Sequence, residues 1–458
     1  MTRIKKLFPH NVSEQAFITA LVLLTIASLA FWMQKSWGDQ VVTSDPAFYE
    51  EVALNFLNGE GFTRDGLDSG MLPGYPFFLA SVFRIAGHNL DAVRIAQGIL
   101  FILTVFLSYQ LGKILVGVVV ARYAALFLAV FYPLPIAAGF LGREVLITFT
   151  LVLVAYTLTK LYDTEKLKWI IFSGLLLGAF VWVADASKFL IIPVFLAFLI
   201  MFRNTGGLKS LLGRSALFIG AFSIFFGLAI LYSINQYNSV GLSQRGMVLY
   251  YRAEIMESIA SNYPGHLVGH LFGYYFAERL FPGIDVRLFR EEGEYSLRGR
   301  ALIEQGYSSF ERDNIMFEEG LQKIKENPFA YAFMSGLDFL SLNSPVIPHG
   351  EKWVPNYMLL TFTEGRHENI PGFVKAGYLL SIRGLWYAMM ASAIFFAIRE
   401  LRRDWRKIIF IVIILLYFNA VYSMTHAIPR YAVPLYPLYI IFATGGVALL
   451  WQKIKQVI

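Results

Sequence analysis

The chain has 458 residues; 57% are hydrophobic, 16% aromatic and only 16% charged, with a formal net charge of +7 and no cysteine. Soluble domains carry about 25% charged residues, so this composition excludes an ordinary water-soluble globule. The lack of Cys excludes disulfides, thiolate nucleophiles and Cys-type zinc sites. Nor does the positive charge read as a nucleic-acid footprint, because Lys and Arg stand in short clusters between apolar runs, where topology signals belong.

Apolar runs of membrane-spanning length, about 20 residues, are predicted at 16–34, 92–111, 123–140, 145–161, 169–184, 189–202, 212–233, 376–398, 408–424 and 431–450. The first follows Arg3, Lys5 and Lys6 and is read as a retained span, since it is longer than a signal h-region and lacks a small-x-small cleavage site. A further run, 73–86, begins Pro-Gly-Tyr-Pro and is short for a crossing. If it does not cross, the N-terminus, Lys113 with Arg122, Lys166 with Lys168, Arg203 with Lys209 and Arg214, the Arg399–Lys407 cluster, and Lys453 with Lys455 all fall on one side. That is a positive-inside pattern. The expectation is therefore an all-α polytopic protein of the plasma (inner) membrane, with ten spans, both termini cytoplasmic and 73–86 lying along the outer surface or re-entering. Three parts are expected: a seven-span module over 1–233, an extracytoplasmic segment over 234–375, and a three-span bundle over 376–458. Within the long segment, 314–326 reads as an amphipathic helix, Pro328 restarts the chain and 329–342 reads as a second helix. Gly174 and Gly178, four apart, suit close helix packing.

Charges at membrane depth are costly and mark function. Asp45 directly follows the first span, in Asp45-Pro46-Ala47-Phe48-Tyr49. Asp before Pro is a good helix start, and an N-cap alone accounts for it; a carboxylate at the bilayer surface also suits a general base. Arg143-Glu144 opens a span from the outer side, either as an interfacial pair or with Glu144 beside Asp45. Lys188 sits with Asp185 at the end of a hairpin, as an anchor or as a point-charge ligand for phosphate. His426-Ala-Ile-Pro-Arg430 precedes the last span, and Arg430 runs against the positive-inside trend, as an anion ligand or a carboxylate's partner. Arg279 is a candidate of the same kind. His266 and His270, at i and i+4, share a helical face, but no third metal ligand stands near them. No Walker loop, Gly-x-Gly-x-x-Gly or His-Glu-x-x-His occurs, so neither a nucleotide-driven pump nor a nucleotide-sugar enzyme with a Rossmann domain is expected.

These residues resemble the GT-C glycosyltransferase superfamily, in its branch of dolichyl-phosphate-mannose protein mannosyltransferases and bacterial aminoarabinose transferases. The resemblance rests on four places. The first is Asp45-Pro-Ala-Phe-Tyr49 followed by Ala53, Gly59-Glu-Gly61 and Leu72-Pro-Gly-Tyr75-Pro; the second is Gly142-Arg143-Glu144. The others are Asn327-Pro-Phe-Ala-Tyr331 and Pro429-Arg430-Tyr-Ala-Val-Pro-Leu-Tyr-Pro437. Where many relatives carry Asp-Glu this chain has Asp45-Pro46, and Gly70-Met71-Leu72 replaces a basic residue before Pro73. The Trp-Trp-Asp-Tyr-Gly signature of oligosaccharyltransferases does not occur, which argues against en-bloc transfer to Asn.

The resemblance implies a GT-C fold with juxtamembrane helices in the first outer loop, and an inverting transfer of sugar from a polyprenyl-phosphate carrier to a hydroxyl of a lipid, glycan or protein. In it Asp45 is the base and Glu144 positions the acceptor or tunes Asp45. Lys188, Arg430, Arg279 and Arg64 would meet the donor phosphate, and Tyr49, Tyr75, Arg143 and His426 would position substrate. No cofactor is required, although a divalent cation stays open. A transporter or flippase of lipid-linked sugars is the competing class. It would show inverted repeats and polar residues at mid-span, whereas here no repeat is seen and the polar residues stand at span ends. A polymerase or ligase using a diphosphate-linked donor is the nearer enzyme alternative.

Overall fold

The structure is a computed structural model and describes residues 13–37, 45–64, 67–69, 71–237, 240–242, 246–284, 294–344, 371–425, 427 and 429–457. These residues are helical almost throughout; one short antiparallel ribbon pairs Thr63 with Asp68 and Arg64 with Leu67. The chain divides into two compact units. One comprises Met1–Tyr232, Met389–Leu416 and Val433–Ile458; the other comprises Ser233–Ala388 and Tyr417–Ala432. The last three apolar runs are thus shared between the units and do not stand apart as a third bundle.

The first unit holds α1 (Glu14–Trp37), α2 (Asp45–Leu57), α3 (Gly74–Ala86), α4 (Leu90–Val116), α5 (Val118–Val130), α6 (Pro133–Gly139), α7 (Glu144–Thr164), α8 (Leu167–Val183), α9 (Ile191–Phe202) and α10 (Gly207–Tyr237). Among the described residues, seven helices are long and apolar enough to cross a membrane. The expected span 123–140 is not one helix. α5 and α6 meet at a 45° bend, because Pro133 and Pro135 supply no N–H to a continuing helix and their rings clash with the turn before; counted as one broken span, the pair raises the candidate crossings among the described residues to eight. α8 has 17 residues and α3 has 13. At 1.5 Å per residue α3 extends only about 20 Å, well short of a ~30 Å hydrocarbon core. The expected runs 376–398 and 408–424 lie in one helical stretch, Gly372–Thr425, which breaks at Asp404, where φ is −153° and ψ is 78°. The molecule is a multi-pass membrane protein.

Association of helices in lipid depends on close backbone packing rather than on burial from water. α8 and α10 pack in that way. A Cβ on Gly174 would overlap the Phe218 carbonyl, and one on Gly178 would overlap the Phe222 carbonyl. The small-residue pair seen in the sequence therefore faces α10.

Charge separates the two ends of this unit. At one end the start of α1 meets the end of α4, with Lys113 Nζ 2.6 Å from Glu14 Oε1. At that same end of α7, Tyr162 donates to Asp404 Oδ2 at 2.7 Å and Lys160 pairs with Asp163 at 2.9 Å. Arg214 lies 4.0 Å from Glu165. Glu144 stands 18 residues before Tyr162 along α7, which is about 27 Å of helix. The unit therefore has a basic end and, across its length, a Glu144 end.

The second unit holds α11 (Gly246–Ser261), α12 (Tyr263–Phe272), α13 (Tyr274–Leu280), α14 (Glu294–Glu304), α15 (Ser309–Glu326) and α16 (Pro328–Leu342). The amphipathic helix and the helix after Pro328 form as the sequence predicts. A capping box between Ser308 and Glu311 starts α15, satisfying two otherwise orphaned N–H groups. Asp313 Oδ1 accepts from the Gly246 N–H at 2.6 Å and so caps α11. Arg298 holds Glu319 through two nitrogens, at 3.0 and 2.5 Å. Met256, Ile259, Ala330, Met334 and Leu337 form the core between α11 and α16.

Candidate active site

The Glu144 end is built from the first turns of α2, α3 and α7 and the turn after α8. Asp45 opens α2 with Pro46 behind it, partly buried. A carboxylate in a first helical turn faces unpaired N–H groups and the positive end of the helix dipole. One turn on, Tyr49 is buried and meets Tyr75 edge to face, ring centroids 5.0 Å apart. Such aromatic pairs contribute about 0.5–1.5 kcal/mol beyond area burial. Tyr49, Ala53, Tyr75, Leu79, Ala80, Phe83, Val93 and Leu141 make one core that joins α2, α3, α4 and the chain before α7. Glu50 adds a 2.6 Å contact from α2 to His88, just before α4.

α3 owes its position to Gly74, which needs the absence of a side chain: a Cβ there would overlap the backbone of Trp182 and Val183 at the end of α8. The Pro-Gly-Tyr-Pro motif thus seats α3 directly beside the turn Asp185–Ser187. Asp185 is buried, and its Oδ1 lies 3.5 Å from Arg143 Nη1. Lys188 follows, partly buried, with Nζ 5.5 Å from the centre of the Phe189 ring. Glu144 itself is buried at the head of α7. Its Oε2 occupies the space that a side chain at Gly142 would take.

Tyr75 connects these parts. Its hydroxyl donates to Gln97 Oε1 at 2.8 Å. Burial pushes the phenol well above its ordinary pKa, and the nearby Glu144 carboxylate and Tyr49 add to that shift. The phenol is thereby held neutral. Arg94, also buried, donates from Nε to the Gly139 carbonyl at 3.2 Å and from Nη1 to Asp91 at 2.6 Å.

Tyr49, Tyr75, Arg143 and Glu144 thus come together, with Lys188 on the neighbouring turn and Asp45 one helical turn from Tyr49. Arg64 lies off to the side of α2, its Nε 3.4 Å from Glu51 and its guanidinium 5.2 Å from the Phe48 ring. Arg279 is exposed on α13, and Arg430 stands over Tyr431 at 5.7 Å; both belong to the second unit. His426 lies outside the described residues.

His266 and His270 share a face as their spacing predicts, but Nδ1 of each is engaged. That of His266 is 2.8 Å from the Tyr274 hydroxyl, and that of His270 is 2.8 Å from the His266 carbonyl. Among the described residues, no group of three or more His, Cys, Asp or Glu side chains is close enough to hold a metal ion. Sequence reasoning missed Arg94 and Gln97. The signal for them is two polar side chains, one a full charge, in the first two turns of an otherwise apolar span.

The fold and this end define a polytopic α-helical membrane protein with its polar residues gathered at span ends. The family model of dolichyl-phosphate-mannose-protein mannosyltransferases matches residues 71–232, the stretch that carries Tyr75, Gln97, Arg143, Glu144 and Lys188. The fold matches the Archaeoglobus fulgidus oligosaccharyltransferase crystallised with Zn and sulfate, at TM-score 0.52 and 15% identity, over 96% of this chain and 49% of that one. The oligosaccharyltransferase AglB from Archaeoglobus fulgidus, in complex with an inhibitory peptide and a dolichol-phosphate, matches at TM-score 0.50 and 15% identity, over 97% of this chain and 52% of that one. ArnT from Cupriavidus metallidurans bound to undecaprenyl phosphate is found at TM-score 0.39 and 13% identity, over 94% and 78% of the two chains. The chain spans about half the length of the archaeal oligosaccharyltransferase. No curated protein sequence matches it. Residues 71–232 are thus similar to that mannosyltransferase family, and the chain shares the fold of the archaeal oligosaccharyltransferase.

Proposed function

We propose that the chain is an integral membrane inverting glycosyltransferase that moves a sugar from a polyprenyl-phosphate carrier to an acceptor hydroxyl on the extracytoplasmic face. The observation that carries this reading is the convergence at one end of the first unit. The helix headed by Asp45, Arg143 and the buried Glu144 at the head of α7, and the turn bearing Asp185 and Lys188 meet there through Tyr75 and Gly74. The opposite end carries the Lys and Arg clusters, which the positive-inside rule assigns to the cytoplasm, so the Glu144 end faces outward. The family match over 71–232 and the archaeal neighbour's complex with a dolichol-phosphate support a lipid-phosphate donor.

In this reaction the Asp45 carboxylate takes the proton of the acceptor hydroxyl. The acceptor oxygen bonds to the anomeric carbon from the face opposite the phosphate, and the bond from that carbon to the phosphate oxygen breaks. The polyprenyl phosphate leaves with the electron pair. A cation placed where this negative charge develops is usually a large part of catalysis, and Lys188 is the group in the first unit assigned to it. Arg143 is steadied by Asp185, and Glu144 positions the acceptor. No nucleotide is consumed, because the phosphate ester is itself the activated bond.

The test is transfer from radiolabelled polyprenyl-phosphate sugars in membranes, wild type beside Asp45→Asn. Label should reach an acceptor with wild type and not with the variant, and the active donor identifies the sugar. A folded wild-type protein that transfers from none of the donors would overturn the reading. Running the assay with added Mg²⁺ or Mn²⁺ and with chelator decides metal dependence.

A further inference from the structure

Gln97 sits on α4 with no exposed surface and uses its whole carboxamide. Oε1 accepts from the Tyr75 hydroxyl at 2.8 Å. Nε2 donates to the Ala138 carbonyl at 2.9 Å and to the Phe140 carbonyl at 2.8 Å. The orientation of the amide follows from its partners. Carbonyls only accept, so the NH2 faces the 138–140 chain, and the remaining oxygen accepts the hydrogen bond of the Tyr75 hydroxyl. One side chain therefore ties α3 to the segment that leads into α7.

The Phe140 carbonyl also accepts from the Gly142 N–H at 2.9 Å, a tight three-residue turn with Leu141 at its centre. Gly142 in turn leaves the space that the Glu144 Oε2 fills. A chain of contacts thus runs from the Gln97 amide through the Phe140 turn to the Glu144 carboxylate, and from the same amide to Tyr75. We propose that Gln97 is a positioning residue, whose buried carboxamide sets Tyr75 and the Phe140–Glu144 turn in register so that the Glu144 carboxylate is held at the reacting end. This inference rests on the proposed transferase reading for its catalytic meaning, while its structural content is independent of that reading.

Two variants separate positioning from simple stability. Gln97→Leu keeps the bulk and removes all three hydrogen bonds. Gln97→Glu keeps the acceptor for Tyr75 but can donate to a backbone carbonyl only when protonated. Two readouts are used: transfer from the donor identified with wild type, and the rate at which a hydrophobic carbodiimide labels Glu144, followed by mass spectrometry.

For Gln97→Leu, kcat should fall on the order of 100-fold, the cost of misplacing a group by about 1 Å. The donor KM should change little, and Glu144 should label several-fold faster. For Gln97→Glu, activity relative to wild type should climb as pH falls, because protonation restores one donor. A folded Gln97→Leu protein with wild-type kcat and wild-type labelling of Glu144 would overturn the proposal. So would a Gln97→Glu pH profile parallel to that of wild type. If Gln97→Leu fails to fold, Gln97→Glu carries both readouts. If wild type transfers from no donor, the transferase reading falls and the labelling rates alone decide the role of Gln97.

Discussion

The two ends of the first unit use charge in opposite ways. At the basic end, pairs such as Lys113–Glu14, which joins α1 to α4, and Lys160–Asp163, within α7, have at least one side chain well exposed. At the Glu144 end the charges are fewer, and Arg94, Glu144 and Asp185 are each below a tenth exposed. Arg94 and Gln97 hold the carbonyls of residues 138–140, Tyr75 donates to Gln97, and Asp185 faces Arg143. Exposed pairs in water are individually weak. Buried polar groups must be satisfied and are costly to disturb. On the positive-inside rule the Lys and Arg clusters would put the basic end in the cytoplasm, and the proposed reading puts the chemistry at the buried, polar Glu144 end.

The two ends should differ most on substitution of Glu144. Glu144→Gln should lower transfer by about 100-fold or more, within the range for an acid–base or positioning carboxylate, with helicity and detergent extraction unchanged. Gly142→Ala should follow. An added methyl overlaps only the mobile end of the Glu144 side chain, so transfer should drop while the thermal unfolding midpoint holds. Gly74→Ala should do the reverse in kind. Its methyl meets backbone at Trp182 that cannot give way, so overpacking should cost about 1–3 kcal/mol of stability, read by thermal unfolding in detergent.

The second unit supplies a pH arm. Burial raises the Asp338 carboxyl from 3.8 to about 6, despite its ion pair with Arg252. A folded-state value above the unfolded one means that the native state binds the proton more tightly. Stability therefore declines as pH rises between about 4 and 6 and is flat above that window. Amide exchange in α11 and α16 should accelerate over this interval, and Asp338→Asn should remove the dependence. The smallest effect belongs to the basic end, where Glu14→Gln should cost about 0–1 kcal/mol and fade with salt.

Much of this was legible in the chain. Runs of apolar residues placed the helices to within a few positions: 92–111 lies inside Leu90–Val116 and 145–161 inside Glu144–Thr164. The short run after Pro73 is a 13-residue helix. Hydropathy failed where one residue type decided the backbone, as at Pro133, which divides the expected span 123–140. It also passed over Gln97 and Arg94, because averaging over a span hides two polar residues among apolar ones, and their meaning lies in carbonyls more than 40 residues away. Glu144 and Tyr75 were visible as types in a motif. That the Tyr75 hydroxyl donates its hydrogen bond to Gln97 is a fact of packing that no spacing rule contains.

The most direct test neutralises the two ends side by side in one transfer assay. Asp45→Asn and Glu144→Gln are compared with Glu14→Gln and Asp163→Asn, all in membranes supplied with labelled polyprenyl-phosphate sugar. The first two should lose about 100-fold or more of the rate, and the second two should keep it. Equal rates from both pairs, with all four proteins folded, would contradict the assignment of the chemistry to the Glu144 end.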